Sequence, residues 1–240
     1  MAIDEKACIR VEYTGKVKES GEVFDTTSES VAKEVQMHGH SFGPRLICLG
    51  MGHWLPALDR AVLGRDVGPF SVSLSADEAF GRKSAKLLQL VPRSLFVAQE
   101  VAPVVGLEVD IDGRFGIIKS VTGGRVLVDF NHPLASKDVV YDINIVEIVT
   151  DVATKAFAVL SRFGFTKDAV AVEGGVCTLV VPSLERKEEM HRVLAPLLAQ
   201  TCGIEQVQFK LASPGKDAGK AGHAAHAGHT HVSHEGDRKG

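Results

Sequence analysis

Aromatic side chains are scarce in this 240-residue chain, which has one tryptophan and two tyrosines beside eleven phenylalanines. Cysteine is scarce too: Cys8, Cys48, Cys177 and Cys202 stand far apart with no CxxC pairing. That distribution argues against a disulfide scaffold or a thiolate zinc site, and for the reducing cytosol. An excess of positive charge is missing, since 27 basic side chains face 30 acidic ones for a net charge of -3. No global field therefore exists to hold nucleic acid. No apolar run approaches the ~20 residues that cross a bilayer. The opening MAIDEKACIRVEY has no apolar signal core, so neither membrane insertion nor export is expected, and a cytoplasmic location is. What is present, 45% hydrophobic and 24% charged residues, suits a folded chain longer than one average domain.

The stretch 7–17 alternates loosely through Val11, Tyr13 and Val17, which predicts a strand with one buried face. A turn at 19–22 leads into a returning strand that starts at Val23 and Phe24. Residues 26–45 read as irregular, and the apolar piece from Leu46 to Leu49 ends at Gly50. Leu55, Leu58, Ala61 and Val62 share a helical face, with Pro56 in the first turn and Gly64 at the stop. Phe70, Val72 and Leu74 then alternate as a strand. Residues 104–130 predict a meander with turns at Asp112-Gly113 and Gly123-Gly124, dipeptides that tolerate positive φ. The near-continuously apolar stretch 139–148 predicts a central strand.

Residues 151–211 read as a separate αββαβ unit. Val152, Ala156, Val159, Leu160 and Phe163 form a helical stripe, and strands follow at 169–173 and 176–181. A second helix is expected from near Ser183, with Pro196 ending or kinking it. Val207, Phe209 and Leu211 close the unit. So short a unit makes a marginal core, which points to docking or self-association. The final stretch, 212–240, is Gly, Ala, Lys and His and cannot offset its ordering entropy, so a mobile tail is expected.

Several of these segments carry a resemblance. VEYTGKVKESGEVFDTT (11–27), LGMGHWLPALDRAVLGRDVG (49–68) and SADEAFGRK (75–83) resemble, in this order, FKBP-type peptidyl-prolyl isomerases. VPRSLF (91–96), VDFNHPLASK (128–137) and VVYDINIVEIV (139–149) resemble the SlyD-like subgroup, in which a small insert-in-flap domain interrupts the fold. The αββαβ unit resembles the long archaeal type. The resemblance implies an α+β fold: an FKBP-like antiparallel sheet wrapped on a short helix, an all-β insert and a C-terminal αββαβ unit. It implies an isomerase domain at 1–83 and 132–149, an insert at 84–131, a C-terminal domain at 150–212 and a His-rich tail at 213–240.

The implied reaction is rotation about an Xaa-Pro bond, whose barrier is ~18–20 kcal/mol. No covalent step is needed. An apolar pocket that strips water from the preceding carbonyl disfavours the planar, charge-separated amide more than the twisted transition state. Carried over by position, the pocket walls are Tyr13, Phe24, Leu46, Trp54, Leu55, Leu58 and Tyr141. Asp25 is the carboxylate near the twisting carbonyl, the Leu55 backbone N–H holds the substrate chain, and Phe80 lies on the wall near Asp25. Asp25 otherwise caps the turn before Thr26-Thr27, and Leu46 and Leu58 otherwise serve as plain core. Three positions depart from the family pattern. Phe80 replaces a tyrosine and removes a hydroxyl donor, a loss of about 0.5–1.5 kcal/mol that weakens activity without abolishing it. Ala57 replaces a glycine. Ser136 replaces the glycine usual after HPLA, a costly exchange if that position needs positive φ.

The resemblance makes the insert a chaperone element that captures unfolded segments and feeds prolines to the neighbouring pocket. Val101, Val104, Val105 and Phe115 alternatively build the insert's own core. Partners are then unfolded or partly folded polypeptides with Xaa-Pro bonds, with no nucleic acid, no membrane and a homodimer through the C-terminal domain as an option. No cofactor is required for isomerisation. The tail histidines His223, His226, His229, His231 and His234 suit Ni or Zn by composition. His38, His40 and His53 read as solvated surface residues and His132 as structural. Two rival readings follow: a holdase with weak turnover, and a nickel- or zinc-binding metallochaperone acting through the tail.

Overall fold

Strand β1 (Cys8–Val17) buries Ile9, Val11, Tyr13, Gly15 and Val17 while Arg10, Glu12, Thr14 and Lys16 are partly or fully exposed. This is the period-2 pattern of a strand with one covered face, and only Cys8 at its start is buried out of phase. In the computed structural model, which describes residues 2–38 and 42–212, the chain is a mixed α/β protein with antiparallel sheets and few helices. It divides into two compact units. One comprises residues up to Lys16, Val23–Val72 and everything from Tyr141 onward; the other comprises Val17–Glu22 and Ser73–Val140.

In the first unit β1 pairs antiparallel with β2 (Val23–Thr26) near its end and with β3 (Arg45–Cys48) near its start. The sheet continues through β9 (Val139–Val149) to β4 (Gly68–Leu74), in the order β2-β1-β9-β4. The expected central strand is thus flanked on both sides. Helix α2 (Pro56–Val62) starts as its sequence predicts, with extended backbone at Leu55 before Pro56 at N1. Gly64 follows its end at φ +73°. The region expected to be irregular contains a short helix, α1 (Glu29–Glu34), capped by the Ser28 hydroxyl, which accepts from Val31 N–H at 3.5 Å. Ala32 is its only buried residue, so no apolar stripe announced it.

The cysteine reading requires a correction. Cys8 and Cys48 form a disulfide across directly opposed positions of β1 and β3, with Cα atoms 4.0 Å apart. Their separation of 40 residues hid a pairing that sheet register, not local spacing, creates. Cys177 and Cys202 are free and buried.

From Val152 the αββαβ order appears as expected: α4 (Val152–Ser161), β10 (Val170–Glu173), β11 (Val176–Val181), α5 (Lys187–Cys202) and β12 (Gln206–Leu211). β10 runs antiparallel and β12 parallel to β11. α4 is capped by Asp151, which accepts from Thr154 N–H at 2.7 Å. α5 differs from expectation. It begins at Lys187 rather than near Ser183 and passes through Pro196 to a left-handed stop at Gly203, φ +70°. Buried Leu194, Leu198 and Cys202 anchor both sides of the proline, offsetting a local cost of about 3 kcal/mol. Ala156, Val159, Leu160, Leu179, Leu194 and Leu198 share one core with Cys8 and Cys48. The unit's small core is therefore completed by docking on the first sheet.

The second unit carries a four-stranded antiparallel sheet in the order β5-β8-β7-β6. β6 (Glu108–Ile111), β7 (Arg114–Thr122) and β8 (Arg125–Asp129) are the expected meander, turning at Asp112-Gly113 and Gly123-Gly124. β5 (Leu88–Pro92) and α3 (Arg93–Ala98) had no clear periodicity and were not foreseen. The core is Val91, Phe96, Ile118, Val126 and Val128, with Val101 packed against it. Val104, Val105 and Phe115 are instead exposed. His132 is structural, accepting from Leu134 N–H at 3.1 Å and stacking on Phe80. The five tail histidines, with His40, lie outside the described residues.

Ser136 does occupy a position that needs positive φ, +65°. Its N–H donates to Gly81 C=O and its hydroxyl accepts from Lys83 N–H, both at 2.8 Å. The side chain thus returns part of what the left-handed backbone costs. Ser136→Gly should leave the melting temperature nearly unchanged, strain relief and lost bond cancelling. Ser136→Ala keeps the strain, loses the bond and should destabilise by about 0.5–1.5 kcal/mol in denaturant titration.

Candidate functional site

Three strands of the first unit each contribute an aromatic ring, and the loop before α2 adds a fourth. Tyr13 of β1 lies 6.0 Å from Tyr141 of β9 and 6.3 Å from Trp54, measured between ring centroids. Phe24 of β2 meets Tyr141 edge-on at 5.6 Å, a favoured geometry for aromatic pairs. Tyr13 and Tyr141 are buried, while Phe24, Asp25 and Trp54 are only partly covered and form the rim.

Gly15 makes this convergence possible. It sits on the same face of β1 as Tyr13, and a Cβ there would come within 2.7 Å of Phe24 Cζ and 3.0 Å of Tyr141 Cε1. The rings occupy the space a side chain would take. On the other flank the Arg45 guanidinium stands 5.8 Å from the Tyr13 ring centroid.

The Tyr13 hydroxyl donates to Asp25 Oδ2 at 2.9 Å. Burial first, and then the Asp25 charge, push the Tyr13 hydroxyl well above its ordinary pKa. Burial followed by Asp25 does the same to Tyr141. Both phenols stay protonated, so Tyr13 acts as a fixed donor that orients the Asp25 carboxylate. Trp54 is held from below: its Nε1–H donates to Asp59 Oδ1 at 2.6 Å, while Asp59 Oδ2 accepts from Gly50 N–H at 3.2 Å.

The other expected site residues divide. Leu58 is fully buried in α2 and Leu55 is partly covered at its N-cap. Leu46 does not join the rings. Its register partner is Arg10, on the face of β1 opposite Tyr13, and it packs against the α4–α5 core. Arg45, one residue earlier, takes the ring-facing position because successive side chains alternate. Phe80 belongs to the second unit, stacked on His132 at 4.5 Å with ring planes 9° apart. His53 is not a solvated surface residue: its Nδ1 accepts from Cys48 N–H at 2.9 Å.

Gly15, Arg45 and Asp59 were missed by sequence reasoning. Alternation along β1 already put Gly15 on the buried face, and that signal was available. Arg45 and Asp59 depend on cross-strand register and loop path, which no local pattern encodes.

A groove of about 680 Å³ on the first unit is lined by Glu12, Tyr13, Glu29, Phe70, Asp142 and Asn144, among others. Asp142 pairs with Lys16 at 2.9 Å and Glu29 with Lys33 at 2.7 Å, while Glu12 Oε2 accepts from Asn144 Nδ2–H at 3.3 Å. Among the described residues no group of three or more His, Cys, Asp or Glu side chains is placed to hold a metal ion. The aromatic site offers a dry wall, partly exposed edges and one oriented carboxylate, which suits non-covalent chemistry on an apolar, proline-sized group.

The chain is similar in sequence to known proteins. Residues 89–134 match the family model described as FKBP26, IF domain. The chain is 31% identical over 153 residues to the FKBP-type 16 kDa peptidyl-prolyl cis-trans isomerase of Escherichia coli, covering 61% of this chain and 94% of that protein. It is 29% identical over 143 residues to the short-type peptidyl-prolyl cis-trans isomerase of Methanocaldococcus jannaschii, covering 58% of this chain and 90% of that one. Against the FKBP-type peptidyl-prolyl cis-trans isomerase SlyD of Aeromonas hydrophila it is 32% identical over 151 residues, covering 62% and 65% respectively.

Because Gly15 lies under two rings, Gly15→Ala should displace Phe24 and Tyr141. The expected cost is about 1–3 kcal/mol by denaturant titration, with a changed near-ultraviolet dichroism from the tyrosines. An unaltered spectrum at full stability would show that the rings do not rest on this glycine.

Proposed function

The chain belongs to the FKBP-type peptidyl-prolyl cis-trans isomerases, with SlyD-named relatives at about 30% identity, and we propose that the Tyr13–Phe24–Trp54–Tyr141 cluster with Asp25 is where it accelerates Xaa-Pro rotation in unfolded polypeptides. The observation that carries this reading is the convergence of four rings on one oriented carboxylate.

The proline ring takes the place of water against the aromatic edges, and its preceding carbonyl is stripped of solvent. In water the planar imide is stabilised by charge separation between oxygen and nitrogen. The rotated form has less C–N double-bond character and depends less on that solvation, so a dry wall favours it relatively. The Asp25 carboxylate, pinned by Tyr13 O–H, places negative charge beside a carbonyl carbon that becomes more electron-poor as resonance is lost. Neither a nucleophile nor a proton transfer is required.

We assign residues 84–131 to the insert-in-flap domain and to chaperone work. The exposure of Leu90, Val97, Val104 and Val105, 56–67% each, supports this, because the domain's core is complete without them. An unfolded segment held there is tethered through the chain to the isomerase site, which raises the effective concentration of its prolines. For residues 150–212 docking is the reading the shared core supports, in preference to self-association. The tail histidines His223, His226, His229, His231 and His234 are proposed on composition alone as a Ni or Zn set; isomerisation needs no cofactor.

Two outcomes test the site and the insert separately. Asp25→Ala should lower kcat/KM in proline-limited refolding about tenfold, equivalent to about 1.4 kcal/mol, with the melting temperature unchanged. Normal catalysis by that variant would remove Asp25 from the chemistry. Leu90→Ser combined with Val105→Ser should slow refolding catalysis while leaving turnover of a proline tetrapeptide intact. Equal loss on both substrates would sink the capture role.

A further inference from the structure

The loop that delivers Trp54 to the rings is held from two sides. On the inner side Asp59 ties both of its ends, Gly50 N–H and Trp54 Nε1–H. On the outer side it meets α4, an element the isomerase fold proper does not contribute. Arg162, the residue that ends α4, donates from Nη1 to the Met51 carbonyl. The same guanidinium covers the open side of Gly52, where a Cβ would lie 3.2 Å from Nη1 and the backbone has φ +64°. His53 takes the Cys48 N–H on Nδ1 at 2.9 Å and meets the Ala158 backbone of α4. An open depression of about 400 Å³ beside these contacts is lined by Arg45, Leu46, Ile47, His53, Ser161 and Arg162. Loop, strand β3 and helix α4 share the apolar core that takes in Met51, Leu46, Cys48 and Leu160, and these polar contacts fix the loop backbone at its edge.

We propose that Arg162 and His53 are positioning residues through which the C-terminal α/β segment sets the loop carrying Trp54, and thereby tunes the isomerase site. The inference rests on the reading of the ring cluster as that site. Trp54 touches Tyr13, and Tyr13 orients Asp25, so a shift of the loop reaches the carboxylate through two contacts. The side chains facing His53 are Asp59 from α2, Arg45 from β3 and Arg162 from α4.

The Cys48 bond requires His53 Nδ1 to be unprotonated. Burial first, and then the Arg162 charge, hold the imidazole below its ordinary pKa, against the opposing pull of Asp59 and the Ala158 backbone. The sign follows: the neutral ring's contribution is complete above the ordinary histidine value of ~6.5 and is lost as the pH falls below it. The loop is therefore loosened by acid.

The test uses the full chain, with proline-limited refolding of a protein substrate measured from about pH 5 to about pH 8, alongside melting temperature and Trp54 emission. Arg162→Met should lower kcat/KM about threefold to tenfold and shift the emission, with little change in melting temperature. Arg162→Lys, which still presents a donor, should recover most of both. Wild-type activity should decline on the acid side, whereas His53→Asn, whose Oδ1 stands in for Nδ1 and does not titrate, should flatten that decline. Unchanged kcat/KM in Arg162→Met, an effect confined to melting temperature, or an acid limb that persists in His53→Asn overturns the proposal. A wild-type chain without turnover would instead sink the isomerase reading of the rings. The Trp54 emission of Arg162→Met, shifted or unshifted, would then decide the positioning claim by itself.

Discussion

One strand has to satisfy two cores. On one face of β1, Tyr13 and the empty position at Gly15 receive the rings of Phe24 and Tyr141. On the other, Cys8 and Arg10 are registered opposite Cys48 and Leu46, and the face that holds this pair of cysteines is covered by α4. Because side chains alternate, a slip of one residue would turn Tyr13 to the opposite face and bring Thr14 to the rings in its place. The Cys8–Cys48 bond and the β1–β3 ladder lock that register where the two cores adjoin. Site geometry and attachment of the C-terminal segment are in this sense one constraint.

On the proposed function the chemistry asked of the ring cluster is small, and its composition fits that. Lowering a rotational barrier needs desolvation and a fixed charge rather than a nucleophile, so scarce aromatics are concentrated where they count: both tyrosines and the one tryptophan of the chain lie in a single cluster. The burial of two phenols beside a carboxylate keeps them as donors, and the carboxylate gains direction from Tyr13 rather than from a cation. The second unit divides its apolar residues differently. Val91, Phe96, Ile118, Val126 and Val128 close its core, and a further set is left facing solvent. On the function proposed above, that division separates holding a chain from turning its bonds.

Elements with strong local signals were legible. β1 announced itself by alternation, α2 by Pro56 and Gly64, the hairpins of the second unit by Asp112-Gly113 and Gly123-Gly124, and the αββαβ order by its change of period. Elements without such signals were not: α1 buries one residue, while β5 and α3 are too short to show a period. Pro196 misled because local propensity cannot weigh the apolar contacts on either side of it. Among the site residues, Tyr13, Phe24, Asp25, Trp54 and Tyr141 were named from motif resemblance and stand together. Leu46 was assigned to the wrong face, and Gly15 was passed over.

The sequence by itself determined which residue types were available, the order of the elements with strong local periods and the family to which the motifs belong, because these depend on spacing within a few residues. Tertiary structure alone decided that Cys8 meets Cys48, that Arg45 rather than Leu46 faces Tyr13, and that His53 is a half-buried acceptor against α4. Each of those outcomes is set by which strand lies beside which and in what register. That choice is made by the summed burial of distant side chains, a quantity no local window of the chain contains.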